Sequence, residues 1–301
     1  MKISKFTTIV IVTYKGVVIK KTLKSLCKNF NIILVENSSN IKFKKKIEKQ
    51  FRNIKVFLSG RNLGYAVGNN IGLKKVKTHY SLVLNPDVNI TAEQVLKLEK
   101  IARKIKNFGI LTCECNGLHE TVNTNLDRYE KIKLNNVDFY KKKIISDYTE
   151  IPWVPGWCMF FKSKDLKNIN YFDENFFLYF EDRDISKRIK KKNKKLLALN
   201  KIKISHIFAG NSRSNNQQVY NKSWHIRFWH LYWSSFYYYR KHYGLFSSIR
   251  VHLSKFFRFK YLQFYFKLTN NNNLSLLNKY KFDAILSQFK NKKALAIPKL
   301  N

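Results

Sequence analysis

The sequence predicts an α/β chain: a Rossmann-like, mostly parallel central sheet with helices on both faces, followed by a C-terminal helical extension that is aromatic and basic. Three observations predict it. Short apolar runs alternate with amphipathic segments through the first third, the pattern of repeated βα units. The runs are apolar at consecutive rather than alternate positions, as in strands covered on both faces. After Gly210 the alternation stops, and residues 222–290 read as helical, rich in aromatics and in Lys and Arg.

Taken in order, Thr8 to Thr13 is the first apolar run, and Ile19, Leu23, Leu26 and Phe30 follow at helical spacing. Ile32 to Val35 is a second strand, and Phe43, Ile47 and Phe51 stand four apart on a second helix. Lys55 to Leu58 is a third strand, from which a glycine-rich stretch, Gly60 to Gly72, enters a third helix ending near Lys75. Tyr80 to Leu84 is the fourth strand. Thr91-Ala92-Glu93-Gln94 has a capping-box pattern and starts a helix whose apolar face is Val95, Leu98, Ala102 and Ile105. Phe108 to Thr112 is the fifth strand, and residues 116–150 form a polar excursion. Beyond it come a strand from Trp157 to Lys162, an acidic-then-basic helix from about Glu181, and short strands through Ile204. The Asn270–Asn273 run reads as a loop.

At 301 residues the chain is long enough to bury a sizeable core, and 45% hydrophobic and 15% aromatic content exclude a disordered chain. Lys and Arg number 58 against 19 Asp and Glu, a net charge of +39. A field of that sign favours nucleic acid, an anionic membrane surface or phosphorylated small molecules. A Lys- and Asn-rich background composition accounts for the charge equally well. Cys27, Cys113, Cys115 and Cys158 form neither a CxxC pair nor a disulfide framework, so free thiols in a reducing compartment are expected. The opening residues lack a signal-peptide pattern, and no run reaches 18 apolar residues. The expected location is therefore cytoplasmic.

Parallel sheets bind ligands at the carboxyl ends of their strands. There is no GxGxxG after the first strand and no GxxxxGK[ST], which argues against a dinucleotide dehydrogenase or a P-loop NTPase. Strand one instead ends in Thr13-Tyr14, strand two in Glu36-Asn37-Ser38-Ser39, and strand four in Asn85-Pro86-Asp87. An acid at the second position can hold a base or ribose by hydrogen bonds. Asp87 can bind Mg²⁺ or Mn²⁺ bridging to phosphate oxygens, or serve as a turn acid beside proline. Glu181 and Asp182 follow the aromatic run Phe176 to Phe180, a water-poor setting suited to a general base and to stacking on a sugar face. The structural alternative is helix-start acids complementing the dipole, with Asp184 and Arg188 paired four apart. His206 ends a strand and can ligate a metal or serve structurally.

Four segments in order carry a resemblance: Gly60-Arg61-Asn62-Leu63-Gly64-Tyr65-Ala66-Val67-Gly68-Asn69-Asn70-Ile71-Gly72-Leu73; Leu84-Asn85-Pro86-Asp87; Val154-Pro155-Gly156-Trp157-Cys158-Met159; and Phe172-Asp173-Glu174-Asn175-Phe176-Phe177-Leu178-Tyr179-Phe180-Glu181-Asp182-Arg183-Asp184. Over residues 7–210 the chain resembles a family 2 glycosyltransferase, with the bacterial rhamnosyltransferase-like subgroup the nearest. The resemblance implies a GT-A fold and an inverting single displacement. It implies that Thr13, Tyr14 and Glu36 line the nucleotide site, with Asn62, Gly64 and Asn70 shaping the donor pocket. Asn85-Pro86-Asp87 stands at the family's DxD-type position, so Asp87 would hold a divalent ion, Mg²⁺ or Mn²⁺. Asp182 would be the general base with Glu181 beside it, and His206 a further metal ligand. Trp153, Gly156, Trp157 and Tyr179 would line the acceptor site. Two positions depart from the family: Lys15 stands for the usual Asn, and Glu36 for the usual Asp.

The implied organisation is a nucleotide-sugar-binding half at 1–115, an acceptor and catalytic half at 116–210, and the helical extension at 211–301. The implied reaction moves a sugar, rhamnose from dTDP-rhamnose in the first instance, to a hydroxyl of a glycan or lipid-linked saccharide in cell-surface polysaccharide synthesis. A UDP-hexose or UDP-N-acetylhexosamine donor is the alternative within the family; a basic nucleic-acid-binding protein is the alternative outside it. In the extension, Trp224, Phe228, Leu231, Tyr232 and Ser235 share one helical face, with Trp229, Trp233, Phe236 and Tyr237 on others, and Arg250 to Lys260 interleaves charge with Phe and Leu. That composition fits a helix lying on the inner face of the cytoplasmic membrane. It also fits a helical subdomain packing its aromatics on the GT-A core. Nothing in the sequence bears on the oligomeric state.

Overall fold

The computed structural model describes residues 3–16, 20–115, 147–206, 222–290 and 292–294. Ile19, most of the polar excursion, the boundary at Gly210 and the side chain of Trp224 lie outside the described residues.

The first strands form because apolar runs can be buried on both faces. β1 (Thr7–Thr13) and β4 (Tyr80–Leu84) are buried at every position. β2 (Asn31–Glu36) lies beside β1, and β3 (Ile54–Leu58) beside β2, all in parallel. Between them run α1 (Lys20–Leu26), α2 (Ile41–Gln50) and α3 (Gly64–Leu73). The Asn40 side chain caps α2 by accepting from Phe43 N–H. α4 (Ala92–Lys104) starts with the capping box expected of Thr91 and Gln94, with both reciprocal bonds formed.

Past β4 the sheet departs from the mostly parallel expectation. Among the described residues nine strands, which include β5 (Val88–Asn89), β6 (Phe108–Cys115), β7 (Tyr148–Glu150), β8 (Cys158–Lys162) and β9 (Lys195–His206), run in the order β3-β2-β1-β4-β8-β6-β9-β5, with β7 paired to β9. β8 (Cys158–Lys162) inserts antiparallel to both β4 and β6 (Phe108–Cys115). β5 (Val88–Asn89) and β7 (Tyr148–Glu150) are antiparallel to β9, whereas β6 is parallel to it. An apolar run shows that a strand is covered on both faces; it is silent about which neighbour pairs with it and in which direction. The short strands expected up to Ile204 are one strand, β9 (Lys195–His206), carrying a register shift opposite Cys113 and Glu114.

α5 (Ser163–Asn168) and α6 (Glu181–Lys190) complete the described part of this region. Arg188 on α6 donates to Asp184 Oδ2 at 2.7 Å, as the i,i+4 spacing implies. It also donates to the carbonyls of Ile169 and Tyr171, fastening a turn in which Asn170 and Tyr171 have positive φ.

Two compact units divide the described residues. One holds the sheet, up to Asp173 and from Asp182 to His206; the other holds Glu174–Glu181 and the C-terminal helices. In the second, α7 (Lys222–Tyr243), α8 (Leu245–Leu268) and α9 (Asn272–Phe289) pack on one another. Trp229, Trp233, Tyr280 and Ala284 form one cluster, and Phe236, Phe259 and Ile285 another. Trp229, Trp233 and Phe236 of α7, among the aromatics read as candidates for an interface, thus turn inward, because a helix that is apolar nearly all round is stable when buried. The Asn270–Asn273 run is loop only at its start: Asn270 has φ 56°, the Asn271 side chain caps α9, and Asn272 begins it.

Candidate functional site

The register of two short strands builds the first part of the site. Val88 on β5 faces His206 at the end of β9. Asp87, one residue earlier, therefore meets the histidine ring, with Asp87 Oδ1 and His206 Nε2 2.9 Å apart. The Trp157 ring lies 5.4 Å from His206, tilted by 33°. Asn85 N–H donates to the Trp157 carbonyl at 2.9 Å, while the Asn85 side-chain Oδ1 is buried with no hydrogen-bond partner. The indole N–H groups of Trp153 and Trp157 are buried in the same state. Buried polar atoms without partners are rare enough in folded proteins to need a reason.

The second part is organised by α6. Gly156 N–H donates to Asp182 Oδ2 at 3.0 Å, and Arg183 N–H to Asp182 Oδ1 at 2.8 Å. The Tyr65 hydroxyl, from α3, donates to the Gly156 carbonyl at 2.5 Å. Val154 N–H donates to Ser186 Oγ, so the 154–156 segment is fastened to α6 at two points. Arg183 lies over the Trp153 ring at 4.8 Å. Burial pushes the Asp182 carboxyl above the ordinary carboxylate range; the Arg183 charge and the amide donors of Arg183 and Gly156 pull it part of the way back. Gly156 and Trp157 thus join the two parts: one holds Asp182, and its neighbour packs on His206 and holds the Asn85 backbone.

The strand-end residues form a third group. Glu36 is fully buried; its carboxylate accepts from Lys15 N–H, Gly16 N–H and the Ser38 hydroxyl. It thereby shapes the turn after Thr13 and Tyr14, in which Lys15 and Gly16 have positive φ. Thr13 is buried and Tyr14 is 41% exposed. The Asn62 carbonyl oxygen accepts from Gly64 N–H and from Asn37, which in turn accepts from Leu63 N–H. Asn70 exchanges two hydrogen bonds with the backbone of Phe172, so it ties α3 to the segment leading towards α6. Glu181 and Tyr179 belong to the helical unit. Burial raises the Tyr179 hydroxyl, the Arg227 charge opposes this, and Glu181 adds to it.

Sequence reading missed Tyr65, Ser186, Asn37 and Arg183 as supports. Tyr65 and Asn37 lie in or beside quoted segments, but their partners are distant in the chain.

The donor set suits a hard divalent cation only in part. No group of three His, Cys, Asp or Glu residues that could hold a metal occurs among the described residues. Asp87 and His206 would supply two ligands, and the partnerless Asn85 oxygen lies on the same short segment. A Mg²⁺ or Mn²⁺ ion held by few protein ligands takes the rest from phosphate and water. On that basis the residues fit such an ion when the remaining ligands come from outside the chain.

The chain is similar to several known glycosyltransferases. Over 207 residues the chain is 25% identical to the low-salt glycan biosynthesis hexosyltransferase Agl10 of Haloferax volcanii, covering 62% of each chain. The chain therefore spans less than two thirds of that relative. It is 26% identical over 191 residues to the rhamnosyltransferase WbbL of Escherichia coli K12, covering 57% of this chain and 71% of the relative. Its fold is that of the mannosyltransferase PcManGT from Pyrobaculum calidifontis, solved with GDP-Man and Mn²⁺: TM-score 0.55 at 11% identity, over 97% of this chain and 90% of the other. This is the GT-A fold expected from the sequence, with a helical C-terminal extension. The glycosyl transferase family 2 pattern runs from residue 8 to residue 169, from β1 through α5 and across Asp87, Gly156 and Trp157; the chain belongs to that family.

Proposed function

We propose that the protein is an inverting glycosyltransferase that moves a sugar from a nucleoside diphosphate donor to a hydroxyl of a glycan or lipid-linked saccharide at an anionic membrane surface. The observation that carries this reading is the run of contacts Asp87–His206–Trp157–Gly156–Asp182. On this reading it links two groups that would bind a metal to a carboxylate that would take a proton.

Asp87 and His206 are the residues that would hold a divalent ion, as the Mn²⁺ and GDP-Man of the mannosyltransferase structure suggest. Such an ion, when bound, neutralises charge that develops on the leaving diphosphate. The buried indole N–H groups of Trp153 and Trp157 are donors awaiting an acceptor, which a sugar hydroxyl or phosphate oxygen provides. The turn shaped by Glu36 and the α3 start shaped by Asn62 and Gly64 would receive the nucleoside.

Asp182 takes the proton from the acceptor hydroxyl. The acceptor oxygen then forms a bond to the anomeric carbon from the face opposite the diphosphate, as the bond from that carbon to the diphosphate oxygen breaks. The nucleoside diphosphate leaves with the electron pair, and the configuration inverts. A carboxyl group raised by burial is better matched to this task than an exposed one, because a stronger base gives more driving force.

Rhamnose from dTDP-rhamnose is the proposed sugar, supported by the rhamnosyltransferase relative; a UDP-hexose or UDP-N-acetylhexosamine is the alternative. Nucleoside diphosphate release from a panel of donors, with Mn²⁺, Mg²⁺ or chelator, tests the reading. One donor should turn over, and Asp87→Ala should reduce the rate at least ~10²-fold. Asp182→Asn should lose transfer to a similar degree while still binding donor. Absence of binding to every nucleotide sugar, with metal present, would overturn the reading.

A further inference from the structure

A helix packed on two neighbours buries one face and exposes a polar one. α8 does not follow that pattern. Ser248, His252 and Phe259 are buried against the helical core. Its other face carries Phe246, Leu253, Phe257, Tyr261, Phe264 and Leu268, all exposed, from 49% for Leu253 to 87% for Phe246. Their spacings of three, four and seven residues place them in one stripe running nearly the length of the helix. An apolar stripe of that length on a surface marks a binding face rather than scattered exposure.

The charges beside the stripe indicate what covers it. Arg250 lies within it, Lys260 and Lys267 flank one edge, and Arg258 the other; all four are exposed. α8 contains no acidic residue, and between residues 222 and 301 fifteen Lys and Arg face a single acid, Asp283. A second copy of this chain would bring like charge against like charge, which opposes pairing. An anionic lipid surface meets both features, because the apolar stripe enters the acyl boundary while Lys and Arg extend to the headgroups. No helix among the described residues is long and apolar enough to cross a membrane.

We infer that the exposed face of α8 is the surface by which this protein docks on anionic lipid, with Phe257, Phe264 and Leu268 inserted and Arg258, Lys260 and Lys267 at the headgroups. The inference deepens the membrane part of the proposed function and does not depend on its chemistry. Expectation from sequence named the α7 aromatics together with the charge-interleaved Arg250 to Lys260; Trp229, Trp233 and Phe236 of α7 are buried, and the exposed stripe lies on α8.

The test is co-flotation of the full chain with vesicles of phosphatidylcholine alone, or of phosphatidylcholine mixed with phosphatidylglycerol. Binding should need the anionic lipid and weaken as NaCl is raised. Phe257→Gln/Phe264→Gln/Leu268→Gln and Lys260→Glu/Lys267→Glu should each lose about tenfold or more in partitioning, with circular dichroism and melting temperature kept. Donor turnover without vesicles should stay at the wild-type level in both variants, so a failure of docking is distinguishable from a failure of the enzyme reading. Equal binding to both vesicle types, no loss in the triple variant, or a soluble dimer that the triple variant dissociates would each overturn the inference.

Discussion

Asp182 is the residue whose environment most shapes its chemistry. Its folded-state value lies above the ordinary carboxylate range because burial outweighs the Arg183 charge and the amide donors of Arg183, Gly156 and Asp182 itself. A raised acid holds its proton more tightly folded than unfolded. Its ionisation therefore costs stability as pH rises from the unfolded value of about 3.9 through the folded one, and that cost is absent below both. A base must be ionised to act, so kcat/KM should rise with pH on a limb displaced upward from an ordinary carboxylate. Arg183→Gln removes a group that lowers the Asp182 value, so the limb should move to still higher pH. A merely structural role for Arg183 would lower the rate at all pH values and leave the limb where it was; the pH profile of kcat/KM separates the two. Asp87, Asp182 and His206 could be named as candidates from sequence because carboxylates and histidines at element ends carry a local signature; their roles remain part of the proposal. The hydrogen bonds of Tyr65 to Gly156 and of Gly156 to Asp182 could not, since they join positions 91 and 26 apart.

α3 shows how an element's sequence encodes packing beyond its propensity. A Cβ added at Gly72 would stand 2.5 Å from Val10 Cγ1, and one at Gly68 2.8 Å from Val12 Cγ1. The glycines are there so that the helix can lie directly on β1. Gly72→Ala gains about 1 kcal/mol of helix propensity. It forces a methyl into a buried strand at about 1–3 kcal/mol, so the overpacking is expected to win. The denaturant midpoint should fall with the slope unchanged. A midpoint at or above wild type would mean that β1 yields, and that the close approach is not needed. The glycine-rich stretch was visible in the sequence, as were the apolar strands and the capping box of α4. The antiparallel insertion of β8 was not, because strand direction depends on a partner far along the chain. The stripe of α8 was legible only in part, as the interleaving of charge with Phe and Leu from Arg250 to Lys260; which face stays exposed depends on how α7 and α9 pack against it.

For the whole molecule the excess of charge sets an expectation that two opposing effects must decide. Lys and Arg exceed Asp and Glu by 39, so compacting the chain brings like charges together. Attractive pairs oppose this. Lys97–Glu93 and Lys201–Asp147 are exposed, worth about 0–1 kcal/mol each and easily screened. Arg188–Asp184 has a fully buried acid and is little affected by salt. Raising NaCl shortens the Debye length from about 30 Å at 0.01 M to about 8 Å at 0.15 M, which weakens repulsion across the surface more than the close buried pair. The melting temperature near pH 7 should therefore rise by a few degrees over that range. Chloride is the ion to use, because sulfate stabilises by exclusion from the surface whatever the charge. A melting temperature that falls with NaCl would mean that attractive pairs outweigh the excess. In that case the cations would be spent within the fold rather than presented to phosphate and lipid, and the electrostatic part of docking through α8 would lose its basis.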